Sequence, residues 1–320
     1  MFGKLMNNFY YGKSGKGDFR KEDLPRTRWQ LFWEMLRIRF SALIRLNLMY
    51  MIAWLPAMIV LMLGAMSLVT GLSTMADPEA VEGGSALAGM SVGDLISGMS
   101  ATTLLLLVPC IAITGPFTAG IAFVTRNWAR DEHAFIWSDF KDAVKDNWKQ
   151  GLAVSVITGF APLLAYVCWN FYGQMAQQTP FMVVPQVLVL MIVLIWALAV
   201  TYMYPLMVSY KLRFRDLIRN AVLLSIARLP QSVGVRLLHC VPMLIAAAVG
   251  MFVSAIWAVL GLFVYYLLLG FGLSRFVTAS FTNGVFDKYI NSHMEGVQIN
   301  RGLNTEPEED DDEEDADPEA

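Results

Sequence analysis

The densest gathering of chemically capable side chains in this chain is Arg126, Arg130, Asp131, Glu132, His133 and Asp139. Carboxylates beside an imidazole could hold a divalent cation or act as acid and base. Consecutive residues, however, point different ways around a helix, so Asp131, Glu132 and His133 do not converge on one site. The cluster reads as an interfacial ion-pair network. The second candidate is Thr114-Gly115-Pro116, where Pro116 follows Pro109 by seven residues. Pro116 has no amide to donate and Gly115 bares the backbone, so a broken helix is expected there. Unwound backbone within a span can contact a polar ligand or ion; a packed kink is the alternative. Thr114, Gly115 and Pro116, with Arg126 and Asp139, make up the candidate polar site.

Other chemistry is missing. Gly12-Lys13-Ser14 resembles the end of a phosphate loop, but Asn7 stands where the first glycine is required and no strand precedes it. The chain has no HExxH, no GxSxG and no paired carboxylates in its apolar runs. Ionisable groups at membrane depth are unfavourable and therefore functional where they occur. Their absence argues against a proton relay, an intramembrane protease and a charged-substrate site of the usual kind, and an enzyme is not expected. Cys110, Cys168 and Cys240 lie in apolar runs without CxxC or Cys/His spacing, which speaks against disulfides and zinc. Catalytic, cofactor and metal residues are all expected to be absent, and no nucleic-acid partner is expected.

The elements that position these residues follow from where charge is missing. Only 16% of the 320 residues are charged and 56% are hydrophobic, against about 25% charged in a soluble domain; mean hydropathy is +0.49. No Asp, Glu, Lys or Arg occurs between Arg45 and Asp77, Asp94 and Arg126, Lys149 and Lys211, or Arg236 and Arg275. A span takes roughly 20 apolar residues, so these runs hold one, one, two and two spans. The spacing predicts an all-α, polytopic bundle with six spans at 46–72, 95–124, 152–171, 182–208, 237–252 and 255–278. The last two are read as a hairpin turning near 250–254, with one long tilted helix as the alternative. Pro56, Pro109, Pro116, Pro162, Pro205 and Pro242 interrupt the first five.

Lys and Arg set the orientation. Ten lie in the segment up to Arg45, five in the Arg126–Lys149 loop, six in the Lys211–Arg236 loop and three after Ser274, while 73–94 and 172–179 hold none. The positive-inside rule then puts both termini in the cytoplasm of a multi-pass plasma-membrane protein. Trp29, Phe32, Trp33, Leu36, Phe40 and Leu43 recur at helical spacing and predict an interfacial amphipathic helix over 25–45. Two shorter amphipathic helices are expected through Phe140, Val144 and Trp148, and through Phe214, Leu217, Ala221 and Leu224. Their matching patterns would suit an internal repeat or convergence on a generic interfacial helix. Residues 1–24 read as a flexible N-terminus, 46–289 as the transmembrane unit and 290–320 as a disordered acidic tail. Eleven acidic residues from Glu306 onward turn a body of +8 into the net charge of −3.

Several short motifs occur together: Asn47-Leu48 with Leu55-Pro56, Pro109, Thr114-Gly115-Pro116, Ala119-Gly120, Thr125-Arg126 and Asp139-Phe140-Lys141, then Tyr204-Pro205, Asn220-Ala221, Leu229-Pro230 and Phe286-Asp287-Lys288-Tyr289. In combination they resemble the YesL-like family of bacterial membrane proteins, over residues 46–289. The stretch from Pro56 to Pro109 is longer than members usually have, and the acidic tail lies outside the pattern. The resemblance implies a bacterial integral membrane protein of unknown molecular function, encoded near carbohydrate-uptake systems, and supplies no binding residues. The expected partners are the lipid bilayer and a carbohydrate-transporter subunit. The expected role is that of a non-enzymatic accessory or regulatory protein; the alternative is a transporter or channel-like protein for a neutral solute. A transporter would line a cavity with Thr158, Asn170, Gln174, Gln186 or Thr201, whereas an accessory protein would pack them.

Overall fold

Long runs without charge and with few glycines propagate helix, and the computed structural model, which describes residues 25–76 and 89–304, is accordingly all-α. Its elements are α1 (Arg28–Ala76), α2 (Val92–Trp128), α3 (Ile136–Ala176), α4 (Val183–Ser209), α5 (Phe214–Ala227), α6 (Leu229–Phe252), α7 (Ala255–Tyr265) and α8 (Phe271–Tyr289). A π-helical turn, Tyr266–Gly270, joins α7 to α8. Among the described residues six helical rods are long and apolar enough to cross a membrane, α7 and α8 counting as one. The chain is a polytopic helix bundle. The reading of 1–24, of 77–88 within the loop 73–94 and of the acidic run 305–320 lies outside the described residues.

Where the rods end follows local chemistry. Ser91 caps α2 in a reciprocal capping box with Asp94. α6 stops at Val253-Ser254, and Ser254 accepts from the amide of Ile256 to start α7. The hairpin near 250–254 is therefore real and the single long helix is not. Pro230 stands in the first turn of α6, where its missing amide is harmless, and keeps α5 a separate 14-residue helix.

Three expectations need correction. The amphipathic stretch 25–45 is not a separate interfacial helix. It is the first part of the 49-residue α1, roughly 70 Å long at 1.5 Å per residue, because no Gly or Pro interrupts it before Pro56. Likewise Phe140–Trp148 belongs to the first part of the 41-residue α3, which runs on through Gly151, and is not a short helix of its own. Residues 290–304, read as part of a disordered tail, pack on the bundle: Arg301 reaches Glu132, Asn300 reaches Asp287, and the amide of Asn304 donates to the carbonyl of Pro25.

The core gathers at the end of the bundle that carries the basic loops. One cluster joins Leu31, Leu43, Leu46 and Tyr50 of α1 to Ile121, Val124 and Trp128 of α2 and Phe276 of α8. The other joins Ala119 and Ala122 of α2 to Tyr202, Met203 and Leu206 of α4, Leu217 and Ala221 of α5, and Phe286 of α8. Towards the opposite end the helices present apolar side chains such as Ile59, Met66, Leu188, Ile192, Met251 and Ile256 outward. Lipid tails are as apolar as leucine, so such residues gain nothing by leaving lipid for a core.

Candidate functional site

The segment Thr114-Gly115-Pro116 is not broken. α2 runs through it as continuous helix, and Thr114 is 3% exposed. Two contacts with α3 explain why the helix persists. Pro116 cannot donate to the carbonyl of Ala112, four residues back, and the Ser155 hydroxyl supplies that bond at 2.6 Å. A Cβ on Gly115 would collide with the backbone of Gly151 and the Ser155 hydroxyl, and one on Gly151 would stand 2.9 Å from the Gly115 carbonyl. Glycine on both sides lets the two backbones touch. Thr114 directs its hydroxyl to the Ile111 carbonyl at 2.8 Å. The backbone exposed by the Gly-Pro step faces α3, so the structure assigns it a packing role in place of the expected break.

Arg126, in the last turn of α2, does bind backbone. Its Nη1 donates to the Val208 carbonyl at 2.8 Å, one of the orphan acceptors at the C-terminus of α4. Its Nη2 lies 3.9 Å from Glu132, which also collects Arg130 at 3.3 Å and Arg301 at 2.8 Å. The expected ion-pair network is thus centred on Glu132. Its neighbours face elsewhere: His133 packs edge-on against Phe135, and Asp131 sits in the left-handed region at φ 54°. Partial burial raises the Asp131 pKa, an effect that nearby Arg39 partly offsets. Among the described residues no three His, Cys, Asp or Glu gather as a metal site.

Asp139 does not meet Arg126. It accepts from the Phe135 amide at 2.9 Å and so closes the first turn of α3. It also lines an open cleft of about 1200 Å³ between the start of α3, the end of α2 and the link from α4 to α5. Asp139, Asp142 and Asp146 stand on the α3 side and Lys211 and Arg213 on the other. At the back is Asn127, 6% exposed, whose buried Oδ1 has no hydrogen-bond partner. Gln150 holds the far wall by donating to the Leu212 carbonyl at 2.9 Å. Tyr210, beside the cleft, donates to Asn291 Oδ1 at 2.7 Å. Burial, reinforced by the Asp287 carboxylate, pushes its pKa up to about 12.

Sequence reasoning missed two polar anchors. Asn47 is fully buried; its Nδ2 donates to the carbonyls of Tyr266 and Leu267 at 3.0 and 2.8 Å, and its Oδ1 accepts from the Gly272 amide at 2.8 Å. It supplies the partners that the π-helical turn leaves unmatched. Its signal was a lone amide in an apolar run. The other is Asp287, which holds Arg28 at 2.6 Å and Asn291 at 2.6 Å and was marked only by its place in Phe286-Asp287-Lys288-Tyr289.

Residues 97–169, most of α2 and α3 with the loop between them, match the family described as "Protein of unknown function, DUF624". The match centres on the Gly115–Gly151 crossing and includes Arg126 and Asp139, and is shorter than the resemblance over 46–289. A search of curated proteins gave no match, and none came from the solved structures.

Proposed function

We propose that this chain is a non-enzymatic accessory or regulatory membrane protein that docks a partner in the polar cleft at its basic, cytoplasmic end. The observation that carries the reading is a contrast in how polar groups are used. Within the spans they are packed away: Ser155 donates to the Ala112 carbonyl, Trp196 Nε1 to Thr158 at 3.1 Å and Gln186 to the Trp169 carbonyl at 3.2 Å, and Thr201, whose Oγ1 has no hydrogen-bond partner, is closed off at 2% exposure. A solute pathway would need such groups open to a cavity. In the open cleft, by contrast, aspartates stand across from Lys211 and Arg213, which suits a partner segment carrying both charge signs.

The cytoplasmic assignment rests on the Lys and Arg distribution. The bacterial plasma membrane and a sugar-transporter subunit as partner rest on the resemblance alone, an associational warrant. The test is affinity capture of the tagged full-length chain in mild detergent, beside an Asp142→Arg/Asp146→Arg variant of unchanged melting temperature. The expected result is a transporter subunit held by the wild type and lost from the variant. Recovery of the same proteins from both would sink the docking surface; recovery of no transporter subunit would sink the link to carbohydrate uptake.

A further inference from the structure

The least embraced span at the basic end is α6. Its first turn is pinned to α4, where Tyr202 and the fully buried Ser232 share a 2.7 Å hydrogen bond. Beyond that turn its most apolar stretch holds no buried residue. Ser232, Arg236 and His239 follow at steps of four and three, which keeps them on the one stripe of α6 that meets the bundle. His239 Nε2 lies 3.2 Å from the Ser274 carbonyl and 3.4 Å from the Thr278 hydroxyl, both on α8. Arg275, next to Ser274, stands 5.7 Å from the ring centre of Tyr204 on α4. It is close enough to act electrostatically on Arg236 and His239.

The two guanidinium groups have no negative counterpart. α4, α6 and α7 contain no Asp or Glu. The one carboxylate of α8, Asp287, lies three turns beyond Arg275 and is held by Arg28 and Asn291. Among the described residues neither Arg236 nor Arg275 has an ion pair, and the buried Nε–H of Arg236 has no acceptor. A guanidinium whose buried Nε–H is unanswered, with a second guanidinium beside it at a span end, calls for an anion. A phosphate group meets them well, since guanidinium geometry matches its oxygens in paired hydrogen bonds. The flank of α6 beside the cluster is apolar and exposed, with Leu237, Leu238 and Val241 outward, and would lie along acyl chains.

We infer that Arg236, Arg275 and His239 form a binding site for a phosphate-bearing anion between α6 and α8, supplied by the bilayer as the headgroup of an anionic lipid. Basic pockets between spans are known to recruit such headgroups. Free phosphate offers the same oxygens without the chains, so the two sources separate in one experiment. The full-length protein in mild detergent is melted with added phosphatidylglycerol, phosphatidylcholine or inorganic phosphate, and retained lipid is counted by native mass spectrometry. Phosphatidylglycerol should raise the melting midpoint by several degrees and stay bound, while the other two do neither. Arg236→Gln and Arg275→Gln should each weaken phosphatidylglycerol binding about tenfold, and Arg215→Gln on the exposed face of α5 should not. A shift with inorganic phosphate alone would keep the anion site and overturn its lipid source. Equal effects of the two lipids on the unmodified protein would overturn the site, a comparison that holds whether or not the variants fold.

Discussion

The Ser155 hydroxyl donates to the Ala112 carbonyl at 2.6 Å, and Ala112 carries the carbonyl that Pro116 leaves without an amide. One helix thereby repairs the backbone of another, at the crossing where Gly115 meets Gly151. The two devices depend on each other. Without the glycines the hydroxyl could not come close, and without the hydroxyl a carbonyl would stay unmet in an apolar interface.

Ser155→Ala should therefore lower stability by about 1 kcal/mol, in the range of interhelical hydrogen bonds in membranes. The penalty should shrink in a Pro116→Ala background, where residue 116 regains its own amide. Unfolding in graded denaturing detergent, run as a double-mutant cycle, reads the coupling. Equal penalties in both backgrounds would mean that Ser155 acts only through its other acceptors, the carbonyls of Gly151 and Leu152. Thr114→Val should change little, because its hydroxyl serves only the local Ile111 carbonyl.

Asn47→Leu should be more damaging, by about 2 kcal/mol or more, since it strands two carbonyls and an amide in a buried site. The volume is nearly conserved, so a loss of that size would come from polar groups left unmet. A variant that melts like the wild type would show that the π-helical turn relaxes to an ordinary helix when Asn47 is gone.

Asp131→Asn should stabilise the protein slightly at neutral pH. Burial raises the wild-type carboxyl pKa in the folded state, so holding its charge at pH 7 opposes folding. As pH falls through that raised value the wild-type group takes up a proton, and the advantage of asparagine disappears. Asparagine also tolerates the left-handed backbone at this position. Melting temperatures of the two proteins from pH 7 downward should converge; a constant gap would assign the effect to something other than titration.

Tyr210 gives the opposite end of the pH scale. Its folded pKa of about 12 exceeds the ordinary value near 10, so its contribution is intact below about pH 10 and is lost as pH rises towards 12. Tyr210→Phe should flatten that alkaline decline while also removing the bond to Asn291. An unchanged alkaline slope in the variant would assign the decline to other groups.

The orientation proposed from the basic loops has a direct check in a cysteine-free background. A cysteine at Gln177 should react with an impermeant thiol reagent in intact cells, and one at Ser292 only after permeabilisation. Both positions are exposed, so failure to react would report sidedness and not burial. Labelling of Ser292 in intact cells would reverse the reading.

Much of the architecture was legible in one dimension because membrane depth imposes a simple code. Runs without Asp, Glu, Lys or Arg marked every span, and the turn between α6 and α7 fell where Gly250 to Ser254 suggested. Helix ends were less legible. Interfacial stretches around residues 25–45 and 140–148 carry the amphipathic pattern of separate helices, yet nothing in them stops a helix, and each simply continues into its span. For Thr114-Gly115-Pro116 the sequence left a ligand-contacting break and a packed kink both open, and the structure has a continuous helix packed on α3 there. Proline and glycine are the same letters whether they open a helix to a ligand or to a neighbouring helix.

Composition and charge placement alone determined that this chain is a bundle of apolar helices and where its basic loops fall, because transfer from water to hydrocarbon depends on residue type and little on context. Tertiary structure alone decided what the polar residues do. Ser155 meets Ala112, Asn47 meets the π-helical turn, three arginines meet Glu132, and Arg236 with Arg275 meets no carboxylate. Hydrogen bonds act over about 3 Å, and partners 43 or 219 residues apart in the chain reach that distance only when the helices pack.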